Sequence, residues 1–164
     1  MRNIMAKKGE IYRIVLDSNV IFSGIYTKTG NPGTILDLVA KGEVILILSE
    51  YIIDEVFNTL SRHQMSESII WFRTFISQAS IEIIQIPSEL QVEQNLYLVP
   101  RDPNDVVIAL TAINSEVDYL ISGDSDLNSH NESTKEIDAL INVLTPKDFI
   151  SLFRKNKQEH QITE

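Results

Sequence analysis

Apolar residues in this chain follow two rhythms. Short β-rich, largely apolar runs over 11–16, 44–48 and 81–86 stop at Asp17, Ser49 and Pro87, and they predict strands. Two more such runs, 119–122 and 141–144, lie in the C-terminal third. Elsewhere apolar residues recur every three or four positions, the spacing of one helix face. Asn31-Pro32-Gly33-Thr34 opens one such stretch, which predicts a helix reaching Lys41 with Gly42 as its stop. Ser49 is placed to cap a helix over 49–62, with Ile52, Ile53, Val56, Phe57 and Leu60 as its stripe. A second amphipathic helix is expected over 66–78, burying Ile69, Ile70, Phe72 and Phe75 or Ile76, with Trp71 as a packing residue. Residues 88–98 suit a short helix, and 102–115 a helix that is apolar almost all round and so belongs in the interior. A final helix is expected over 146–154. Three glycines and a proline make 18–34 read as a mobile connection with room for one helical turn. Apolar strands alternating with helices predict a parallel sheet covered on both faces.

Composition narrows the function classes. With 164 residues, 43% hydrophobic and 23% charged, the chain suits one domain, expected over 10–155 between polar or basic flexible tails at 1–9 and 156–164. Cysteine is absent, which excludes disulfides, thiolate metal sites and a cysteine nucleophile. The opening MRNIMAKKGE lacks the apolar core of a secretion signal, and no run has the length of a membrane span, so a cytoplasmic location is expected. A net charge of −9 argues against nucleic-acid binding through bulk positive charge. Basic residues gather at the two ends, at Arg2, Lys7, Lys8 and Arg13 and at Arg154, Lys155 and Lys157, which leaves the body strongly acidic.

The acids fall where a parallel sheet collects ligands, beyond the carboxyl ends of its strands. Asp17 is the first residue after the first strand. Asp124 and Asp126 follow a later one. Asp102 and Asp105 open the interior helix, and Asp54 and Glu55 flank the apolar stripe of the helix after the second strand. Crowded carboxylates repel one another, and a hard divalent ion bound through oxygen resolves the repulsion. Each acid also has a structural explanation. Asp102 and Asp105 suit an N-cap and the first turn around a proline, and Asp124 and Asp126 suit a turn. Asp17, a lone acid directly behind a buried strand, is the hardest to explain by structure alone.

Other chemistries find no support. Asp124-x-Asp126-x-Asn128 begins like a calcium loop, but Ser129 and Lys135 stand where that loop needs glycine and glutamate. Glycine-rich phosphate loops and the G-x-S-x-G elbow are missing, and His63, His130 and His160 have no metal-ligand spacing. A response-regulator receiver would need adjacent acids after the first strand, and Asp17 has Ser18 beside it.

The order Ile-Val-Leu-Asp17-Ser-Asn19, Ser-Glu-Tyr-Ile-Ile-Asp-Glu55, Asp102-Pro-Asn-Asp105 and Ser122-Gly-Asp124-Ser-Asp126 resembles the PIN-domain family of metal-dependent ribonucleases. Asp102-Pro-Asn-Asp105 and the closing Val-Leu-Thr-Pro-Lys-Asp-Phe are similar to its branch of toxins from toxin–antitoxin pairs. The resemblance implies a three-layer α/β/α sandwich around a parallel sheet. It selects Glu55 over Asp54 and implies that Asp17, Glu55, Asp105 and Asp124 bind Mg²⁺ or Mn²⁺. Asp126 would be an auxiliary ligand, with Asp102 orienting water. Ser18, Asn19 and Ser122 would position the phosphate or a ligand carboxylate. It further implies hydrolysis of RNA phosphodiesters, control by an antitoxin and pairing into homodimers. The alternative is a PIN-like binding module with weak catalysis.

Overall fold

The computed structural model describes residues 11–162. The expected tail at 1–9 lies outside the described residues. Five parallel strands, β1 (Tyr12–Leu16), β2 (Val44–Ser49), β3 (Ile81–Ile84), β4 (Tyr119–Ile121) and β5 (Val143–Leu144), form one sheet in the order β3-β2-β1-β4-β5. The chain starts in the middle, builds outward to β3, then returns across β1 to build β4 and β5. Right-handed crossovers on a parallel sheet then require opposite faces for the two halves. Helices α1 (Ser18–Tyr26), α2 (Asn31–Ala40), α3 (Glu50–Arg62) and α4 (Ser66–Gln78) serve the first half. The return passes through α5 (Glu89–Gln94), a 3-10 turn (Leu96–Leu98) and α6 (Pro103–Asn114), and the second half holds α7 (Ser125–Asn128) and α8 (Lys135–Leu140). Helix α9 (Pro146–Ile162) closes the chain by packing on α2 and β5. The result is the expected α/β/α sandwich. Among the described residues no helix is long and apolar enough to cross a membrane.

The interior follows from the patterns. Ile14, Val15, Leu16, Leu46, Ile47, Leu48, Leu120 and Ile121 are all fully buried, as strands covered on both faces must be. Helix α6 lies against β1, β2 and β4 and buries seven consecutive-face residues from Asp105 to Ala112, which accounts for its apolar circumference. Ser49 caps α3 through the Ile52 N–H at 3.4 Å, and the stripe positions Ile52, Val56 and Leu60 are buried.

Three expectations are corrected. Residues 18–26 are not a mobile connection but α1, and its glycine serves packing. A Cβ on Gly24 would come within 2.7 Å of Leu36 Cδ1 and 2.9 Å of the Pro32 carbonyl, while one on Gly33 would lie 2.4 Å from the Lys28 carbonyl oxygen. Gly24 lets α1 approach α2, and Gly33 lets the start of α2 approach the loop before it, requirements set by packing and not by the helix pattern. Second, Ile70 of α4 is 64% exposed; Phe72 and Phe75 supply the buried face, and Trp71 is partly exposed while stacking on Phe75 at 4.9 Å. Third, the final helix does not stop at 154. Helix α9 runs eight residues past Arg154, with Asn156 hydrogen-bonded to the Tyr12 hydroxyl and Lys157 paired with Glu43 at 2.8 Å. Helices α7 and α8 fill a stretch for which the pattern predicted no element, and β3 and β5 are shorter than their apolar runs.

Candidate metal centre

The reversal of strand order between β1 and β4 leaves a crevice at their carboxyl ends, where α/β domains bind ligands. Asp17 ends β1 and Ser122 ends β4, and the two strand ends are tied by Asp17 N–H to the Ile121 carbonyl at 3.0 Å. Asp17 is 2% exposed and caps α1, its Oδ1 accepting from the Asn19 N–H at 3.4 Å and from the Ser18 hydroxyl at 3.4 Å. Its other oxygen accepts from the Ser122 hydroxyl at 2.8 Å. Thus Asp17 also has a structural use, one that became visible with α1.

Ser122 joins two acids. While donating to Asp17, its hydroxyl oxygen accepts the Asp124 N–H at 3.0 Å. Asp124 in turn caps α7, accepting the Asp126 N–H at 2.8 Å. The Asn128 amide donates to the Ser122 carbonyl at 2.7 Å and so fixes the turn that aims both acids. Ser122 is fully buried, and of the two roles expected for it, positioning the phosphate or a ligand carboxylate, its hydrogen bond to Asp17 accords with the second. Of the other expected phosphate contacts, Ser18 is half-buried and its hydroxyl is held by Asp17, whereas Asn19 is exposed.

Asp105 enters from α6. Asp102 caps that helix through the Asn104 N–H at 2.9 Å, which sets Asp105 in the first turn with its side chain turned inward. Carboxyl oxygens of Asp105, Asp124 and Asp126 all lie within 4.8 Å of one another. Asp105 is 7% exposed, and its Oδ2 is buried without a hydrogen-bond partner. Burial, followed by repulsion from Asp17, Asp124, Asp102 and Asp126, pushes its pKa up to about 7. The Asp17 carboxyl is raised as well, by burial and then by Asp124, against the lowering effect of Ser122 and Asn19. Two buried acids therefore compete for one corner, and an oxygen-seeking cation there would satisfy both the orphaned oxygen and the repulsion. An all-oxygen donor set fits Mg²⁺ or Mn²⁺ and not a thiolate-loving ion.

Glu55, like Asp17, is not among the three acids whose oxygens cluster. Its Oε1 accepts the Tyr51 hydroxyl at 3.1 Å, one turn earlier on α3. The Tyr51 hydroxyl titrates well above its usual range, through burial first, then Glu55, Asp102 and Asp105, so this pair faces the α6 acids. Asp54, the alternative to Glu55, is exposed. Three contributors escaped the sequence reading: Tyr51, Asn128 and Arg101, whose guanidinium lies 3.4 Å from Asp126 Oδ1. Tyr51 could have been found from its i, i+4 spacing to Glu55; the other two carry no local signal.

Fold and rim together define an α/β/α domain with an acidic cluster at the switch point of its sheet. The chain belongs to the PIN-domain family: a family model described as PIN domain matches residues 13–126. Proteins of this family are generally nucleases. An uncharacterized protein from Methanocaldococcus jannaschii is 29% identical over 150 residues, which cover 87% of this chain and 92% of that one. Among solved structures, PAE2754 from Pyrobaculum aerophilum shares the fold with a TM-score of 0.60 at 15% identity, over 88% of this chain and 97% of that chain. VapBC2 from Rickettsia felis, solved bound to a DNA fragment from their promoter, matches with a TM-score of 0.58 at 19% identity, over 81% of this chain and 98% of that chain.

Proposed function

We propose that the protein is an endoribonuclease dependent on Mg²⁺ or Mn²⁺, with Asp17, Glu55, Asp105 and Asp124 as its ligands directly or through water. The observation that carries this reading is Asp105: a buried carboxylate with an orphaned oxygen, within 4.8 Å of two further acids, at the switch point of a PIN domain. Asp126, one of the three clustered acids, is an auxiliary ligand, and Asp102 holds water beside them. When bound, the ion polarises the phosphodiester and makes hydroxide available near neutral pH. The chain's own contribution is orientation. Ser122 and the α1 N-terminus hold Asp17 in one rotamer, Asn128 holds the Asp124 turn, and Tyr51 restrains Glu55. In-line attack by water would leave a 5′-phosphate and a 3′-hydroxyl.

We also read the protein as the toxin of a toxin–antitoxin pair. Two features support this: the likeness of Asp102-Pro-Asn-Asp105 and Val143-Leu-Thr-Pro-Lys-Asp-Phe149 to that branch, and the fold shared with VapBC2. Ile70 and Trp71, exposed on α4, offer apolar surface for an antitoxin helix or a second copy.

Incubating the purified protein with single-stranded RNA in Mn²⁺, in Mg²⁺ and in excess EDTA tests the activity. The expected result is internal cleavage with 5′-phosphate ends in either metal, none in EDTA, and background rates for Asp124→Asn. Cleavage that survives EDTA, or an Asp124→Asn variant at wild-type rate, refutes the assignment. A well-folded wild type that binds RNA in Mn²⁺ without cutting it would mark a binding module instead.

A further inference from the structure

The 3-10 turn with the segment after it and the loop entering α8 line a cleft of about 270 Å³, whose walls carry Tyr97, Arg101, Asp126, Glu132, Lys135 and Glu136. Asp126 belongs both to this cleft and to the carboxylate cluster, so the cleft opens beside the cation site. Tyr97 is 55% exposed, and the Arg101 side chain, at 75%, reaches Asp126 at 3.4 Å. An ion pair that exposed adds little stability, so the fold does not account for Arg101. Lys135, on the opposite wall, is already paired with Glu132 at 2.6 Å. Among the described residues that line the cleft, Arg101 is thus the cation that reaches the acidic rim.

An acidic rim repels a phosphodiester backbone. A strand that presents its scissile phosphate there needs a positive group just outside the cluster and a surface for the adjoining base. Unpaired RNA is held by such elements, with aromatic rings stacking on splayed bases and basic side chains on phosphates. We propose that this cleft is a nucleotide subsite for unpaired RNA, in which Tyr97 stacks on the base beside the scissile phosphate and Arg101 turns from Asp126 to the neighbouring phosphate. The subsite rests on the ribonuclease reading of the rim. Arg101 is freed for that turn when Asp126 is engaged by a cation. A duplex cannot supply the splayed base, so the substrate class is a single strand or a loop.

The test measures binding of a fluorescent single-stranded oligoribonucleotide and its duplex by anisotropy in Ca²⁺ across a salt series, beside cleavage of the same single strand in Mn²⁺. Tyr97→Leu should weaken single-strand binding about 5- to 150-fold, the range for losing one base–aromatic stack, and Tyr97→Phe should restore it. Arg101→Gln should weaken binding and reduce the slope of log K against log salt by about 0.7, the value for one phosphate contact on a single strand. Arg73→Gln on α4, away from the cleft, should leave affinity and slope unchanged, and duplex binding should not respond to Tyr97. A wild type that binds and cuts the strand while Tyr97→Leu and Arg101→Gln keep its affinity and salt slope overturns the subsite and leaves the nuclease standing. A wild type that neither binds nor cuts overturns both.

Discussion

Asp105→Asn separates a cation site from an acid kept for folding. In the metal-free protein Asp105 is buried, its Oδ2 lacks a partner, and four other acids repel it. Its pKa of about 7 in the folded state lies above the 3.8 usual for an aspartate. Between those values the folded protein holds more protons than the unfolded chain, so stability must fall as pH rises through this window. The shift would amount to about 4 kcal/mol at 1.36 kcal/mol per unit. Relaxation and water entry at a rim beside solvent reduce this to on the order of 2 kcal/mol. Asparagine removes the charge, keeps the size, and supplies an amide that can donate to Asp17 or Asp124. In EDTA at pH 8, Asp105→Asn should therefore melt about 4–8 °C above wild type, at 2–4 °C per kcal/mol for a domain of this size. At pH 5 the gap should close, because wild-type Asp105 is then protonated. Adding Mn²⁺ should reverse the order at pH 8. Wild type would gain about 2.7 kcal/mol at a hundredfold excess over the dissociation constant, and the variant much less. Calorimetry or fluorescence melts at the two pH values, with EDTA or Mn²⁺, give all four numbers. A variant less stable than wild type in EDTA at pH 8, with an undiminished Mn²⁺ response, would refute the reasoning.

Two further outcomes follow from neighbouring geometry. Tyr51→Phe removes the hydrogen bond to Glu55 and little packing, so melts should move by about 1 kcal/mol or less, while cleavage in Mn²⁺ falls and more metal is needed for half-maximal rate; unchanged metal dependence would dismiss Tyr51 as a positioning residue. Gly33→Ala places a Cβ 2.4 Å from a backbone carbonyl, which cannot rotate away, so a loss of about 1–3 kcal/mol by denaturant unfolding is expected, and a neutral result would disprove the close approach of α2 to the loop before it.

The chain's own pattern determined the strands, most helices and the face each would bury. Unbroken runs such as Val44-Ile-Leu-Ile-Leu48 have one stable home, inside a covered parallel sheet, and Ser49 or Asp102 announces a helix start through its side chain alone. It also placed acids after strands and at helix starts, because those positions are local. Tertiary structure decided the rest. Whether Gly24 and Gly33 break a helix or permit a close approach depends on where Leu36 and the Lys28 carbonyl arrive. Where α9 ends depends on Tyr12 and Glu43, more than a hundred residues away in sequence. At the rim, sequence named the carboxylates, but their electrostatics arises from neighbours brought together by the crossover from β3 to β4. Asp105 is raised by Asp17 and Asp124, and Ser122 is committed to Asp17 across 105 positions. Repulsion and hydrogen bonding act over a few ångströms of space, and only the folded sheet sets those distances.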